Sequence, residues 1–226
     1  MSIFSTHTIQ CPACATPMDF ELVLSVSADR RPDLRDAILD GSFQRQPCPG
    51  CGTLFRVEPE FTYMDIQRRQ YIGVWPTARR ADWQACADKT RAVFDDAMGR
   101  NAPPEARRIG DDLDVRVVFG WPALVEKILA RGAGIDDRTL EVVKLAVMRS
   151  GEETPVPGQR ALRLVQLDDA SMLFAWVGSG GDKPSSWRVP RQLIADIEGQ
   201  PDAWKATRDS VAAGDVVDFQ RELLAA

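Results

Sequence analysis

The sequence predicts an α+β protein: an N-terminal zinc-ribbon-like antiparallel sheet with an inserted helix, then a mixed α/β domain with a C-terminal antiparallel hairpin and short helices. Three observations predict it. Two cysteine pairs, Cys11-Pro12-Ala13-Cys14 and Cys48-Pro49-Gly50-Cys51, bracket the first part. Apolar residues recur with period two up to Trp75 and again beyond Leu162, and with helical period between them. The chain has 226 residues at 44% hydrophobic content, enough for one large core or two modest ones.

The elements follow in order. Met18, Phe20, Leu22, Leu24 and Val26 alternate with Asp19, Glu21, Val23 and Ser25, the pattern of a half-buried strand. Pro32 to Leu39 reads as a short helix, with Gly41 just past its end. Phe55 and Val57, then Phe61 to Asp65 and Tyr71 to Trp75 around the polar turn Gln67-Arg68-Arg69-Gln70, read as further strands of an antiparallel sheet grown out of the ribbon. A helix is expected from about Arg79 to Met98, with Trp83, Cys86, Thr90, Val93, Phe94 and Ala97 on one face. Gly99 stops it, and Asn101-Ala102-Pro103-Pro104 marks the expected boundary between a ribbon domain over residues 1–100 and a second domain over 101–226.

Residues 113–119 read as a strand with Val115, Val117 and Phe119 on one face. Gly120-Trp121-Pro122 opens a helix that ends at Gly132, with Leu124, Val125, Ile128 and Leu129 as its apolar stripe. Asp136 is the expected N-cap of a helix from Asp137 to Arg149, facing the core through Leu140, Val143 and Val147. Gly151 to Gly158 reads as a loop. Leu162, Leu164, Val165 and Leu167, the turn Asp168-Asp169-Ala170, and Met172, Phe174 and Trp176 form a hairpin, and Trp187 and Val189 a third strand. Short helices are expected from about Arg191, Ala203 and Asp215.

The cysteines carry the chemistry. Two residues between cysteines let a tight turn aim both sulfurs at one ion, and two such turns complete a tetrahedron. Pro12 and Pro49 stiffen the turns; Gly50 and Gly52 allow backbone conformations that a side chain opposes. Cys11, Cys14, Cys48 and Cys51 are thus the expected ligands of one structural Zn2+. The 33 residues between the pairs exceed the roughly 15–20 of common ribbon sites, so the ribbon carries a folded insertion. A thioredoxin-like dithiol is the competing reading, but it needs only one pair and a strand–helix unit around it, and neither pair is expected to have one. Cys86 lies in the helical stripe and reads as a core thiol. His7, the sole histidine, reads as a strand residue.

The segments Cys11-Pro12-Ala13-Cys14, Ile38 to Phe43, Cys48 to Gly52 and Tyr63-Met64-Asp65 resemble the bacterial CpXC family, named for its two Cys-Pro-x-Cys motifs. The resemblance runs over roughly residues 8–150, through Val115 to Gly120, Glu126-Lys127-Ile128 and Asp136-Asp137-Arg138. It implies that the four cysteines are the family's metal ligands and brings no activity with it.

Charge and missing motifs narrow the function. The formal charge is -5, and four thiolates with one divalent ion make it more negative still. That balance argues against nucleic acid, whose affinity comes mainly from Lys and Arg on phosphates. No apolar run is long enough to span a membrane, and the N-terminus has no signal-peptide pattern, so a cytoplasmic location is expected. The doublets Asp95-Asp96, Asp111-Asp112, Asp136-Asp137, Glu152-Glu153 and Asp168-Asp169 read mostly as caps and turns. The glycine-rich stretch Gly178 to Lys183 lacks phosphate-loop spacing and reads as a hairpin turn. No serine elbow or second histidine is present. A metal site closed by four thiolates leaves no open position for substrate. The expectation is therefore a non-enzymatic module that binds a protein partner. The alternatives are a nucleic-acid-binding ribbon, an enzyme with a site between the two parts, and a redox switch that releases zinc. Joint exposure of Trp187 and Trp204 would mark a partner surface.

Overall fold

The class is α+β. The computed structural model describes residues 1–150, 160–178 and 186–221, and among these it has seven α-helices and strands in four sheets. The loop expected at Gly151 to Gly158, the doublet Glu152-Glu153 and the turn expected after Gly178 lie outside the described residues. The chain divides into two compact units, Met1–Thr77 with Thr90–Trp121, and Ala78–Lys89 with Pro122–Ala226.

The first unit begins with a hairpin, β1 (Ile3–Gln10) against β2 (Pro17–Ser27), followed by α1 (Pro32–Asp40). A small hairpin, β3 (Arg45–Pro47) with β4 (Leu54–Arg56), comes next, then β5 (Phe61–Asp65) and β6 (Gln70–Trp75). A 3-10 turn (Thr77–Asp82) leads into α2 (Trp83–Ala97), which belongs to this unit from Thr90 onward, then α3 (Pro104–Gly110) and β7 (Asp114–Phe119). The main sheet runs β1-β2-β5-β6-β7, so β7, beyond residue 100, completes the sheet that begins at Ile3.

This sheet is mixed, where an antiparallel one was expected. β2 and β5 are parallel, with Ser25 opposite Thr62, and so are β6 and β7, with Gln70 opposite Asp114. The connections explain it: a parallel joint needs a dozen or more residues to carry the chain back to the starting end. The first connection contains α1 and the β3–β4 hairpin; the second contains α2 and α3. A strand–helix–strand crossover therefore does surround the second cysteine pair, contrary to expectation, although that pair follows the strand β3 and not a helix start.

Burial follows this order. All six residues of β6, flanked on both edges, are buried. In β2 the alternation breaks at Leu24, where the pairing with β1 slips between Ile3 and Phe4. The bulge buries both Val23 and Val26 and leaves Leu24 46% exposed. On α2 the stripe is narrower than expected: Cys86, Thr90 and Phe94 are buried, whereas Val93 and Ala97 face solvent. Cys86 is the core thiol it was expected to be. The Trp75 indole N–H donates to Thr90 Oγ1 at 3.1 Å, fixing α2 on β6.

The second unit contains most of α4 (Trp121–Gly132), then α5 (Asp137–Ser150), β8 (Arg160–Leu167), β9 (Ser171–Gly178) and β10 (Ser186–Pro190). It closes with α6 (Gln192–Glu198), α7 (Pro201–Ser210), β11 (Ala212–Ala213) and β12 (Val216–Val217). The three longer strands form an antiparallel sheet in the order β10-β9-β8. Its core joins Leu140, Val143 and Val147 to Leu162, Leu164, Met172, Phe174 and Trp176, with Ile194 and Ile197 of α6. Asp136 caps α5 as expected, accepting the Thr139 backbone N–H at 2.9 Å. No helix starts at Asp215: Gly214 has a φ of 57° and, with Asp215, turns β11 into β12. Trp187 and Trp204 are half-buried against the core of this unit, so the joint exposure that would have marked a partner surface is not seen.

Candidate metal centre

The two cysteine pairs occupy matching hairpin turns. One joins β1 to β2 and the other joins β3 to β4, and both use the sequence Cys-Pro-x-Cys-x-Thr. Their backbone bonds correspond one for one. The Cys11 and Cys48 amides donate to the carbonyls of Thr16 and Thr53, at 3.0 and 2.9 Å. The Ala15 and Gly52 amides donate back to the carbonyls of Cys11 and Cys48, both at 2.9 Å. This closure requires a left-handed residue after the second cysteine. Gly52 supplies it with a φ of 72°, while Ala15 adopts 58° against the resistance of its Cβ. Gly50 serves differently from the expectation: its φ is ordinary, and a Cβ there would meet Thr16 Oγ1 of the other turn at 2.6 Å.

The four sulfurs converge. All lie within 4.8 Å of one another, a grouping that could hold one metal ion. Cys11 Sγ is 3.8 Å from Cys51 Sγ, and Cys14 Sγ is 3.6 Å from Cys48 Sγ, so each close pair spans the two turns. Cys11 and Cys48 are buried on an apolar floor of Met18 and Phe20, with Ile9, Leu22, Phe55 and Val57 around it. Cys14 and Cys51 are exposed. Gln44 ties the second hairpin to β2: its amide donates to the Glu21 carbonyl at 2.9 Å and its Oε1 accepts the Val23 N–H at 3.2 Å.

The acidities of the thiols follow this burial. Hydrogen bonding to Thr16, through its hydroxyl and its backbone, brings the Cys14 thiol down to about 6. The Thr53 hydroxyl lowers Cys51 in the same way. Burial pushes Cys48 up to about 11 despite bonds from the Cys51 and Gly50 amides. Thr16 and Thr53 were missed in the sequence, although the repeated spacing was there to be read. His7 is exposed on β1, opposite Phe20, and plays no part in the sulfur cluster.

A second polar constellation lies in the other unit and was not foreseen. Glu126 and Lys127 of α4, Glu141 and Lys144 of α5, and Arg163 of β8 are all buried. Glu126 receives the best donors: Lys144 Nζ at 2.9 Å and Arg163 Nη1 at 3.1 Å on Oε1, and the Leu164 N–H at 2.7 Å on Oε2. Burial alone would raise its pKa, but Lys144, Arg163 and Lys127 outweigh burial and lower it. Glu141 is the poorer partner. Its Oε2 accepts the Phe219 N–H at 3.1 Å. Its Oε1 lies 2.7 Å from Lys144 Nζ as an ion pair, yet has no donor in hydrogen-bond geometry. Burial therefore prevails and pushes Glu141 up to about 7.

The segment after β12 closes this cluster. Asp218 pairs with Arg163 Nη2 at 2.6 Å, and Gln220 Oε1 accepts the Leu162 N–H at 2.7 Å. The Val217 carbonyl accepts from Lys127 Nζ at 2.8 Å. Leu162 and Leu164 lie on the outer edge of the three-stranded sheet, so Gln220 and Glu126 take the place of a neighbouring strand there. Among the acidic doublets, Asp136 caps α5 and Asp168 holds the β8–β9 turn by accepting the amides of Ala170 and Ser171.

Comparison with known proteins gives one match. A family model described as CpXC protein covers residues 9–144, which include both cysteine turns, the whole main sheet from Ile9 onward, and α4. No curated protein and no solved structure matches the chain. Among the described residues, no helix is long and apolar enough to cross a membrane. Because the match extends over more than half of the chain and takes in the paired turns that bring the four sulfurs together, the chain belongs to the CpXC protein family.

Proposed function

We propose that the metal is zinc, one ion per chain, held by Cys11, Cys14, Cys48 and Cys51 in a structural role, and that the stapled unit serves a protein partner as a binding module. The sulfur geometry carries the zinc reading. Zn–S bonds of about 2.3 Å in a tetrahedron imply sulfur–sulfur edges of about 3.8 Å, and the close pairs lie at 3.6 and 3.8 Å. Four thiolates fill a tetrahedral zinc, so the ion would stabilise the turns without binding substrate. Thiolate ligation also fits a reducing compartment such as the cytoplasm.

The interaction reading rests on that closed site and on the acidic balance of the chain. Metal analysis of the purified protein tests the first part: one zinc per chain is expected, and Co2+ in its place should give intense sulfur charge-transfer and tetrahedral ligand-field bands. Iron at the same stoichiometry, or no metal, would overturn it. Cross-linking in the native host, followed by titration of the purified partner, tests the second. A hydrolase or transferase activity abolished by a point mutation outside the cysteines would overturn that part.

A further inference from the structure

Each of the four sulfurs has its own hydrogen-bond partner, and the partners differ by exposure. The buried Cys11 and Cys48 sulfurs accept backbone amides, from Ala13 at 3.4 Å and Gly50 at 3.3 Å. The exposed Cys14 and Cys51 sulfurs face threonine hydroxyls, Thr16 Oγ1 and Thr53 Oγ1, each at 3.2 Å. In the thiol form the sulfur donates across this contact. A metal-bound thiolate has no proton, so the same contact then holds only with the hydroxyl donating to sulfur. Both threonines occupy the same position in their turns, two residues after the second cysteine. Thr16 is also held from outside: its side chain lies against Gly50 of the opposite turn, where a Cβ would strike its hydroxyl oxygen.

Resting on the zinc reading above, we propose that Thr16 and Thr53 are positioning residues of the metal centre, which hold down the nucleophilicity of its two exposed thiolates and so set how fast electrophiles strip the metal. Four thiolates on one divalent ion carry a net charge of -2, and the solvent-facing pair is where an attacking reagent arrives. A hydroxyl donating to sulfur withdraws charge from the lone pair that would attack. Outer partners of this kind orient and tune metal ligands generally. Gly50 belongs to the same device, because it leaves room for the Thr16 hydroxyl.

The test uses full-length zinc-loaded protein and N-ethylmaleimide, with zinc release followed by a chromogenic chelator. The thiolate sulfur adds to the maleimide double bond, the adjacent carbon takes a proton from water, and the resulting neutral thioether is a weak ligand that lets the metal go. Thr16→Val and Thr53→Val keep the side-chain shape and the backbone amide and lose only the hydroxyl. Each should release zinc about fivefold faster, the factor a single hydrogen bond corresponds to, and the double variant by about the product of the two. Thr16→Ser and Thr53→Ser should stay within about twofold of the parent. Gly50→Ala should accelerate release as Thr16→Val does. In Co2+-substituted protein the sulfur charge-transfer band should move to lower energy in both valine variants, a change that a merely structural role would not produce. Valine variants that keep full zinc content and release it at the parent rate, with an unmoved band, would overturn the assignment of the threonines alone. A parent chain that binds no metal would overturn the zinc reading and this inference together.

Discussion

The two units bring polar groups into their interiors in different ways. In the first, four sulfurs from two short turns meet at one point, and a single cation can satisfy all of them. In the second, Glu126, Lys127, Glu141, Lys144, Arg163 and Asp218 come from four separate segments and pair with one another and with neighbouring main-chain groups. With the proposed ion, the first arrangement would depend on a component taken from solution. The second depends on the chain having folded around itself: local sequence sets Glu141 beside Lys144 on α5, but does not bring either to Glu126, Arg163 or Asp218. Removing a ligand should therefore disable the first unit at its root. Removing one charge from the second should leave a specific partner stranded in a dry interior.

The largest effect is expected at the metal centre. Cys48→Ser removes a buried ligand, and structural zinc contributes about 10–16 kcal/mol in small zinc-finger peptides. The variant should lose zinc, precipitate on expression or melt far below the parent, as read by metal content and thermal unfolding. A soluble variant that lacks zinc but unfolds at the parent temperature would show that the main sheet holds the turns unaided.

Next comes the ionic cluster. Lys144→Met should destabilise the protein by about 3–5 kcal/mol, because it leaves Glu126 and Glu141 buried without their shared cation. Glu141→Gln at pH 7 should instead raise stability, by up to about 3 kcal/mol, since a neutral amide avoids burying a carboxylate or taking up a proton that the unfolded chain has already released there. Denaturant titrations of both variants would measure the contrast, and equal losses would refute the division of roles between the two glutamates.

The dependence on pH is smaller and has a definite sign. Glu141 is pushed up to about 7 in the folded protein by burial, well above the usual glutamate value. The folded state thus binds a proton that the unfolded chain has already released. That contribution is complete below the ordinary glutamate range and is lost as pH rises toward and through about 7. Asp218 is displaced the opposite way: although burial opposes it, Arg163 and Lys144 prevail and lower it, so its contribution is lost only as pH falls through the acid range. Between about pH 5 and 8 the parent should therefore lose stability relative to Glu141→Gln. Parallel denaturant midpoints for the two proteins over that range would expose any error in this assignment.

The smallest expected changes sit in the turns. Ala15 and Gly52 hold equivalent left-handed positions at φ of 58° and 72°. Ala15→Gly should stabilise by about 1 kcal/mol and Gly52→Ala should destabilise by a similar amount. Thermal unfolding of the zinc-loaded variants would reveal whether the two turns are as alike energetically as they are in their hydrogen bonds.

What could be read in the sequence follows from how local each feature is. The cysteine turns were legible because all their determinants lie within six residues, and α1, α4 and α5 because their periodicity and end signals are local too. The mixed order of the main sheet was not. Alternation in Phe61 to Asp65 announces a strand but does not say that its neighbour is β2, running parallel, and not β4. The helix expected from Asp215 gave way to a hairpin in which Gly214, at a positive φ, and Asp215 form the turn and Val216 pairs back with Ala213. The ionic cluster was least legible. Glu126 and Lys127, between Val125 and Ile128, look like ordinary solvated charges until β8 and the segment after β12 are folded onto them. Lys144 gave a faint signal, since it falls on the stripe of Leu140 and Val147, where an apolar residue belongs.

The edge of β8 has a consequence for how the chain is made. Its outward amides at Leu162 and Leu164 are covered by Glu126, synthesised earlier, and by Gln220, synthesised almost sixty residues later. While the chain is still emerging, Leu162 has no cover, and an uncovered strand edge is a template for pairing with another nascent chain. A chain shortened before Val216 would stay permanently in that condition. It would be expected to form aggregates rich in intermolecular strands even though every residue of the metal turns and of the three-stranded sheet is present.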